Sequence, residues 1–372
     1  MIKLELTPDI IDKHKNYILN ESNIVYDLID LRYKGIYASK AFVRDLNRDE
    51  KKFIAYLIDH VRKLKDPTTC DDSIFLMTPE KLQQELGNIE ANHNYVYDEC
   101  KNDNNDFAIA LLNAFGYEKF SHAEVGKPRY IKTKPKRTKV VLSWSAYAFT
   151  DALGLETCPY CHMSDIKTTI SKKGKSRGDL DHFTTKSKYP YLSMSIYNLI
   201  PSCQKCNSRY KHEKDFDYST HINLYENVMD HKLVRFSYFA KSYEAYIGEK
   251  PKDIYIKLKH NRRDRNSKRL NKNCDDLDIL TRYKGLSITK STVSSMLAKK
   301  RLFDKNERIA FDLSSLGLDF RKLVLNVDSD ETLLNQPYGK FKIDIYDEIM
   351  NPTGPHIPSA VLKAHEKSES AS

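Results

Sequence analysis

Four cysteines fall into two pairs, Cys158/Cys161 and Cys203/Cys206, and between the pairs lies the stretch Asp179-Leu-Asp-His-Phe183. Each C-x-x-C sets two thiolates on one tight turn. Two such turns brought together make the tetrahedral sulfur cage that a structural Zn²⁺ takes. A zinc held by four thiolates has no open position, so its binding energy folds the module and takes no part in chemistry. The chemistry falls to the neighbours. Asp181 and His182 sit at the end of a short β-like segment, where strict alternation aims their side chains to opposite sides. Pro201 and Ser202 read as a helix start with Ser202 as N-cap, which places Cys203, Asn207 and Lys211 at i, i+4 and i+8 on nearly one face.

The flanking sequence supplies the elements that must hold these residues. Residues 1–140 read as a mainly helical domain. Phe53, Ile54, Leu57, Val61 and Leu64 recur at helical spacing after the start signal Asn47-Arg-Asp-Glu50, Thr78-Pro79 opens a second helix, and residues 106–115 form a third that stops at Gly116. A basic, proline-containing connector over 126–139 leads to an apolar, helix-like stretch over 140–153 that carries Trp144, the single tryptophan. Beyond the cysteines, residues 233–239 and 253–258 predict a hairpin, and a helical stretch runs from 276 to about 302. Residues 352–372 are rich in proline, serine and charge and predict a mobile tail.

At 372 residues, with 40% hydrophobic content and 24 tyrosines, the chain can bury a real core and is not a disordered polymer. No run of about 18 apolar residues appears, and the start Met1-Ile-Lys-Leu-Glu-Leu6 is charged early, so the expectation is a cytoplasmic protein without a membrane partner. Cys70, Cys100 and Cys274 are left over with no disulfide spacing, which fits a reducing compartment and core packing. The net charge of +10 makes a polyanionic partner plausible. The positive charge is clustered over 132–139, 172–177 and 257–272. His162, His212 and His221 read as solvent-facing.

Asp181-His182, Asn198 and Cys206-Asn207 resemble the ββα-metal core of HNH endonucleases, in the zinc-knuckle subgroup whose pattern is C-P-Y-C, D-H-F, Y-P, N-L-I-P-S-C and C-N. The likeness covers residues 144–211, and a weaker one extends to residues 339–344. It departs at Thr185, where the family often has proline, and at Asn207, where it often has histidine; an asparagine carbonyl still suits a hard cation. The resemblance implies an α+β protein with a zinc-stabilised ββα-metal module over 141–225, set between the helical N-terminal domain and an α+β C-terminal region over 226–351. It implies a DNA endonuclease that leaves a 5′ phosphate. His182 would be the general base, neutral near pH 7 from its ordinary pKa of about 6.5. Asp181 and Asn207 would hold Mg²⁺ or Mn²⁺, Asn198 would orient the loop, and Lys186, Lys188 and Lys211 would meet phosphate. By analogy it further implies prokaryotic, antiviral defence and an ATPase partner. Two other readings use the same residues: a noncatalytic zinc module that binds nucleic acid or protein, and a toxin that cuts RNA.

Overall fold

The computed structural model describes residues 1–39, 41–102, 105–132, 137–212, 214–305, 320–325 and 330–369. Helices and strands are mixed, and every ladder among the described residues is a two-stranded antiparallel pair. No described helix is long and apolar enough to cross a membrane. The chain divides into two units, Lys3–Pro159 with Asp165–Met229, and Met1–Ile2 with Tyr160–Ser164 and Asp230–Ser372. The segments 1–140 and 141–225, separable in the sequence, thus fall almost wholly into one unit.

In the first of these units local signals work as their chemistry dictates. Helix Arg48–Lys63 opens with a full capping box: the Asn47 side chain accepts from the Glu50 amide at 2.9 Å, and the Glu50 carboxylate accepts from the Asn47 amide at 2.8 Å. Its apolar stripe of Phe53, Ile54, Leu57 and Val61 is buried. Helix Pro79–Asn92 starts at proline and runs past Gly87. Helix Asp106–Phe115 is capped by the Asn105 side chain and ends at Gly116, whose φ of 68° is the left-handed C-terminal turn that glycine takes without strain.

The sequence expectation over 140–153 divides. Arg137–Val141 is a strand paired with Pro128–Lys132, and only Ala146–Leu153 is helical, capped by Ser145. The β-branched Val140 and Val141 are stiff at χ1 and fit a ladder better than a helical turn. The basic connector is therefore an antiparallel arm, whose residues 133–136 lie outside the described set.

Buried His14 gives this unit part of its pH dependence. His14 is fully buried; its Nδ1 accepts from the Trp144 indole at 3.3 Å, which leaves Nε2–H to donate to the Met194 carbonyl at 2.9 Å. The neutral ring is satisfied on both sides, and a second proton would face the indole donor. Desolvation lowers its pKa from 6.5 to about 4. Between those values the unfolded chain binds the proton and the folded chain does not, so stability should fall as pH drops from about 6.5 towards 4. Urea unfolding across that window should show the decline, and His14→Gln should make it shallower by one histidine's share, His182 supplying another. Equal slopes in both proteins would refute the assignment.

In the other unit, strands Val234–Ala240 and Ile254–His260 pair in register, Ile254 opposite Ala240, as the predicted hairpin requires. Helix Gly339–Met350 covers the first strand: the Asp344 carboxylate accepts from the Phe236 amide at 2.8 Å, and the Phe236 and Phe341 rings meet edge to face at 5.3 Å. The single helical stretch expected from 276 to about 302 is two helices, Ile279–Lys284 and Ser287–Lys305, and a further helix, Arg265–Asp276, precedes it. Asp278, at φ 50°, breaks the join between Arg265–Asp276 and Ile279–Lys284. Within the expected mobile tail, Ser359–Glu369 is helical, and its His365 ring stacks on Tyr243.

Candidate active site

The residues Cys158, Cys161, Cys203 and Cys206 come together, all buried, with their sulfurs within 4.8 Å of one another. Tetrahedral Zn²⁺ with Zn–S of about 2.3 Å sets S···S near about 3.8 Å, so the quartet fits such an ion. Backbone amides already point at the sulfurs: Cys203 N–H donates to Cys158 Sγ at 3.3 Å, and Cys206 N–H to Cys203 Sγ at 3.4 Å. The turn carrying Cys161 is held through its carbonyl by the Tyr283 hydroxyl at 2.9 Å.

Between the cysteine turns the chain forms two strands and a helix. Asp179–His182 pairs antiparallel with Leu199–Ser202, and Lys205–Lys211 follows as a wide, π-type helical segment. Gly178 enters this ladder where a Cβ would come within 2.9 Å of Ile166 Cβ and of the Ser202 carbonyl, so only glycine fits. Ser202, expected as a helix N-cap, is instead the strand partner of Asp179; the helical segment starts at Lys205 without a side-chain cap.

Asp179 and Asp181 share one face of their strand, two residues apart. The helical segment lies along that face. Asn207 Nδ2 donates to Asp179 Oδ2 at 3.2 Å, and Lys211 Nζ donates to both Asp181 oxygens, at 2.7 and 3.0 Å, and to the His182 carbonyl. Lys211 is 3% exposed. It was expected as a phosphate contact; in this structure its charge is spent on Asp181. Burial lowers its pKa, while Asp181 opposes that shift.

His182 projects from the same strand and is buried. Its Nε2 lies 3.0 Å from the Ser193 carbonyl, and its ring meets Tyr117 edge to face at 4.4 Å. A carbonyl only accepts, so Nε2 carries the proton and Nδ1 is the basic nitrogen. Nδ1 makes no hydrogen bond with the described residues. Desolvation, with Lys186 and Lys211 nearby, lowers the pKa of His182 to about 3.

Asn198 is fully buried and ties the loop after His182 in place. Its Oδ1 accepts from the Thr184 amide at 2.8 Å and hydroxyl at 3.0 Å, and its Nδ2 donates to the Thr184 and Leu192 carbonyls. Replacement by alanine strands these groups and should cost about 3 kcal/mol, measurable as a lower urea midpoint at unchanged m. A loss below about 1 kcal/mol would contradict this accounting.

Lys186, Lys188 and Asn207 meet at a polar cavity of about 800 Å³, lined also by Thr185, His212 and Asp215; Asp181, His182 and Lys211 are not part of its lining. Lys186 reaches Glu118 at 3.3 Å and Lys188 reaches Asp215 at 2.5 Å. Asp179 escaped the sequence reading and could have been found as the same-face neighbour of Asp181. His212, read as solvent-facing, is exposed, and its φ of 39° turns the chain back after the helical segment and sets the imidazole beside Asn207. His162 and His221, expected in solvent, are buried, with His221 stacked on Phe216 at 4.1 Å. Of the three leftover cysteines, Cys100 and Cys274 are buried and Cys70 is only partly so.

No family model, no curated protein and no solved structure matches the chain.

The resemblance would place Mg²⁺ or Mn²⁺ on Asp181 and Asn207, and the side chains as arranged do not fit that ion. Lys211 occupies both Asp181 oxygens, and Asn207 is turned to Asp179.

Proposed function

We propose that the chain is an HNH-type nuclease that hydrolyses DNA phosphodiester bonds, with a structural zinc on the four cysteines and His182 as general base. The observation that carries this reading is the tautomer of His182. Nε2–H is committed to the Ser193 carbonyl, and Nδ1 is left as a proton acceptor on a strand–strand–helix frame closed by the cysteine quartet. A base must be neutral before it acts, and burial keeps this imidazole neutral throughout the physiological range. In the step itself Nδ1 takes a proton from water, the hydroxide oxygen bonds to phosphorus, and the bond to the 3′ oxygen breaks; that oxygen takes a proton from bulk water, and Nδ1 returns its own to bulk solvent.

The test is plasmid DNA incubated with the purified protein and with His182→Ala, each with Mg²⁺, with Mn²⁺ and with chelator. Conversion of supercoiled DNA by the wild type alone supports the reading; equal conversion by both proteins rejects it. A second reading, a noncatalytic zinc module that binds nucleic acid or protein, draws on the neutralised Asp181 and predicts no conversion under any condition. RNA offered beside duplex DNA separates an RNA-cutting toxin from a DNase.

A further inference from the structure

Two hairpins of the unit that carries the candidate site are largely exposed, the first resting on the unit through Arg129, Ile131 and Lys132. In the pair Pro128–Lys132 and Arg137–Val141 only Ile131 is buried, and Tyr130 is 62% exposed. In the pair Thr169–Ser171 and Gly174–Ser176 every residue is exposed, with Ile170 at 64%. A lone two-stranded hairpin is marginal in water, and its apolar side chains gain nothing from staying wet.

Their charge is one-sided. Residues 127–141 hold seven lysines and arginines and no acid, and residues 167–177 hold five and no acid. Some of these are committed within the fold: Lys132 to Asp27 and Asp30, Lys167 to Glu156, Lys175 to Glu124. Arg137, Lys139, Lys172 and Lys173 have no ion pair among the described residues and remain available. A cleft of about 570 Å³ runs from Val125, just before the first hairpin, to Ile170 and Lys173 on the second, with Glu124 and Asp151 also in its lining. Tyr147 lines it, with Lys175 Nζ 4.9 Å and the Arg177 guanidinium 5.2 Å from its ring centre.

We propose that these two hairpins, with the cleft that the second of them lines, grip duplex DNA, Arg137, Lys139, Lys172 and Lys173 meeting backbone phosphates. A two-stranded antiparallel ribbon is a shape that the B-form major groove admits, at about 12 Å across, whereas the deep, narrow major groove of A-form RNA does not. A single strand would want open aromatic platforms, and the Tyr147 ring is already covered by two cations. As the substrate grip of the enzyme, this surface rests on the nuclease reading; as a DNA-binding surface it can be tested without cleavage.

The experiment measures fluorescence anisotropy of a labelled duplex over a salt series, without added divalent cation. It compares the full chain with Arg137→Glu/Lys139→Glu, with Lys172→Glu/Lys173→Glu, and with a control reversal of the exposed Arg262 and Arg263 in the other unit. Each hairpin variant should bind about tenfold more weakly than the control, and the slope of log K against log salt should shrink by about 2. Circular dichroism and zinc content should match wild type. Losses equal to the control, or single-stranded DNA or RNA bound as tightly as the duplex, overturn the proposal. Binding that behaves as expected in a protein that cuts nothing leaves the grip standing and removes the nuclease reading alone.

Discussion

His182→Ala should lower DNA cleavage by about 10² to 10⁴-fold, the range that loss of one positioned general base produces, with one zinc per chain retained. The residue is buried, so a hole at this position also costs stability, and the variant needs a companion. His182→Gln keeps a donor for the Ser193 carbonyl and fills most of the volume, but it has no imidazole nitrogen to take the proton. Both variants should therefore be equally inactive, while the glutamine form melts closer to wild type. If His182→Gln keeps the wild-type rate, the base lies elsewhere, and the exposed His212 beside Asn207 is the imidazole to examine next.

Removal of the metal should unfold the module that carries the candidate site. Four sulfurs within 4.8 Å cannot all ionise without a cation, because like charges at that spacing raise one another's pKa. With zinc bound they become thiolates, and the binding free energy of such sites, of order 10 kcal/mol, is folding free energy. Cys203→Ser weakens the cage by replacing a thiolate ligand with a hydroxyl, which can still accept from the Cys206 amide that now donates to the sulfur. The variant should purify with little zinc, lose its cooperative thermal transition and expose Trp144, which is buried in the same unit. A red-shifted tryptophan emission on chelation of the wild type should report the same event. An unchanged melt in zinc-free protein would show the quartet to be ordinary packed thiols.

The parts legible in the sequence were those whose cause is local. The Asn47 and Glu50 box closes within four residues, Gly116 and Gly154 end their helices through their own φ, and two C-x-x-C turns need only find each other. Short-range signals failed where a distant partner outweighed them. Ser202 has the chemistry of an N-cap, yet its backbone is taken by Asp179; Val140 and Val141 follow the ladder offered by Pro128 and Arg129. The region 359–369 is polar enough to look unstructured and still forms a helix, with a ring contact to Tyr243 more than a hundred residues away.

For the candidate site the division is sharper. Residue identities alone made Cys158, Cys161, Cys203 and Cys206 a metal set and put an acid and an imidazole between them, because ligand type and spacing are properties of the chain. Which charge each group meets depended on the tertiary structure. Lys211 and Asp181 are thirty residues apart, and only the packing of the helical segment along the strand makes them a buried pair. The same packing turns Asn207 to Asp179, and the loop carrying Ser193 offers the carbonyl that keeps the His182 proton on Nε2. Burial then sets how each group titrates, since desolvation depends on what surrounds a side chain and not on its neighbours in sequence.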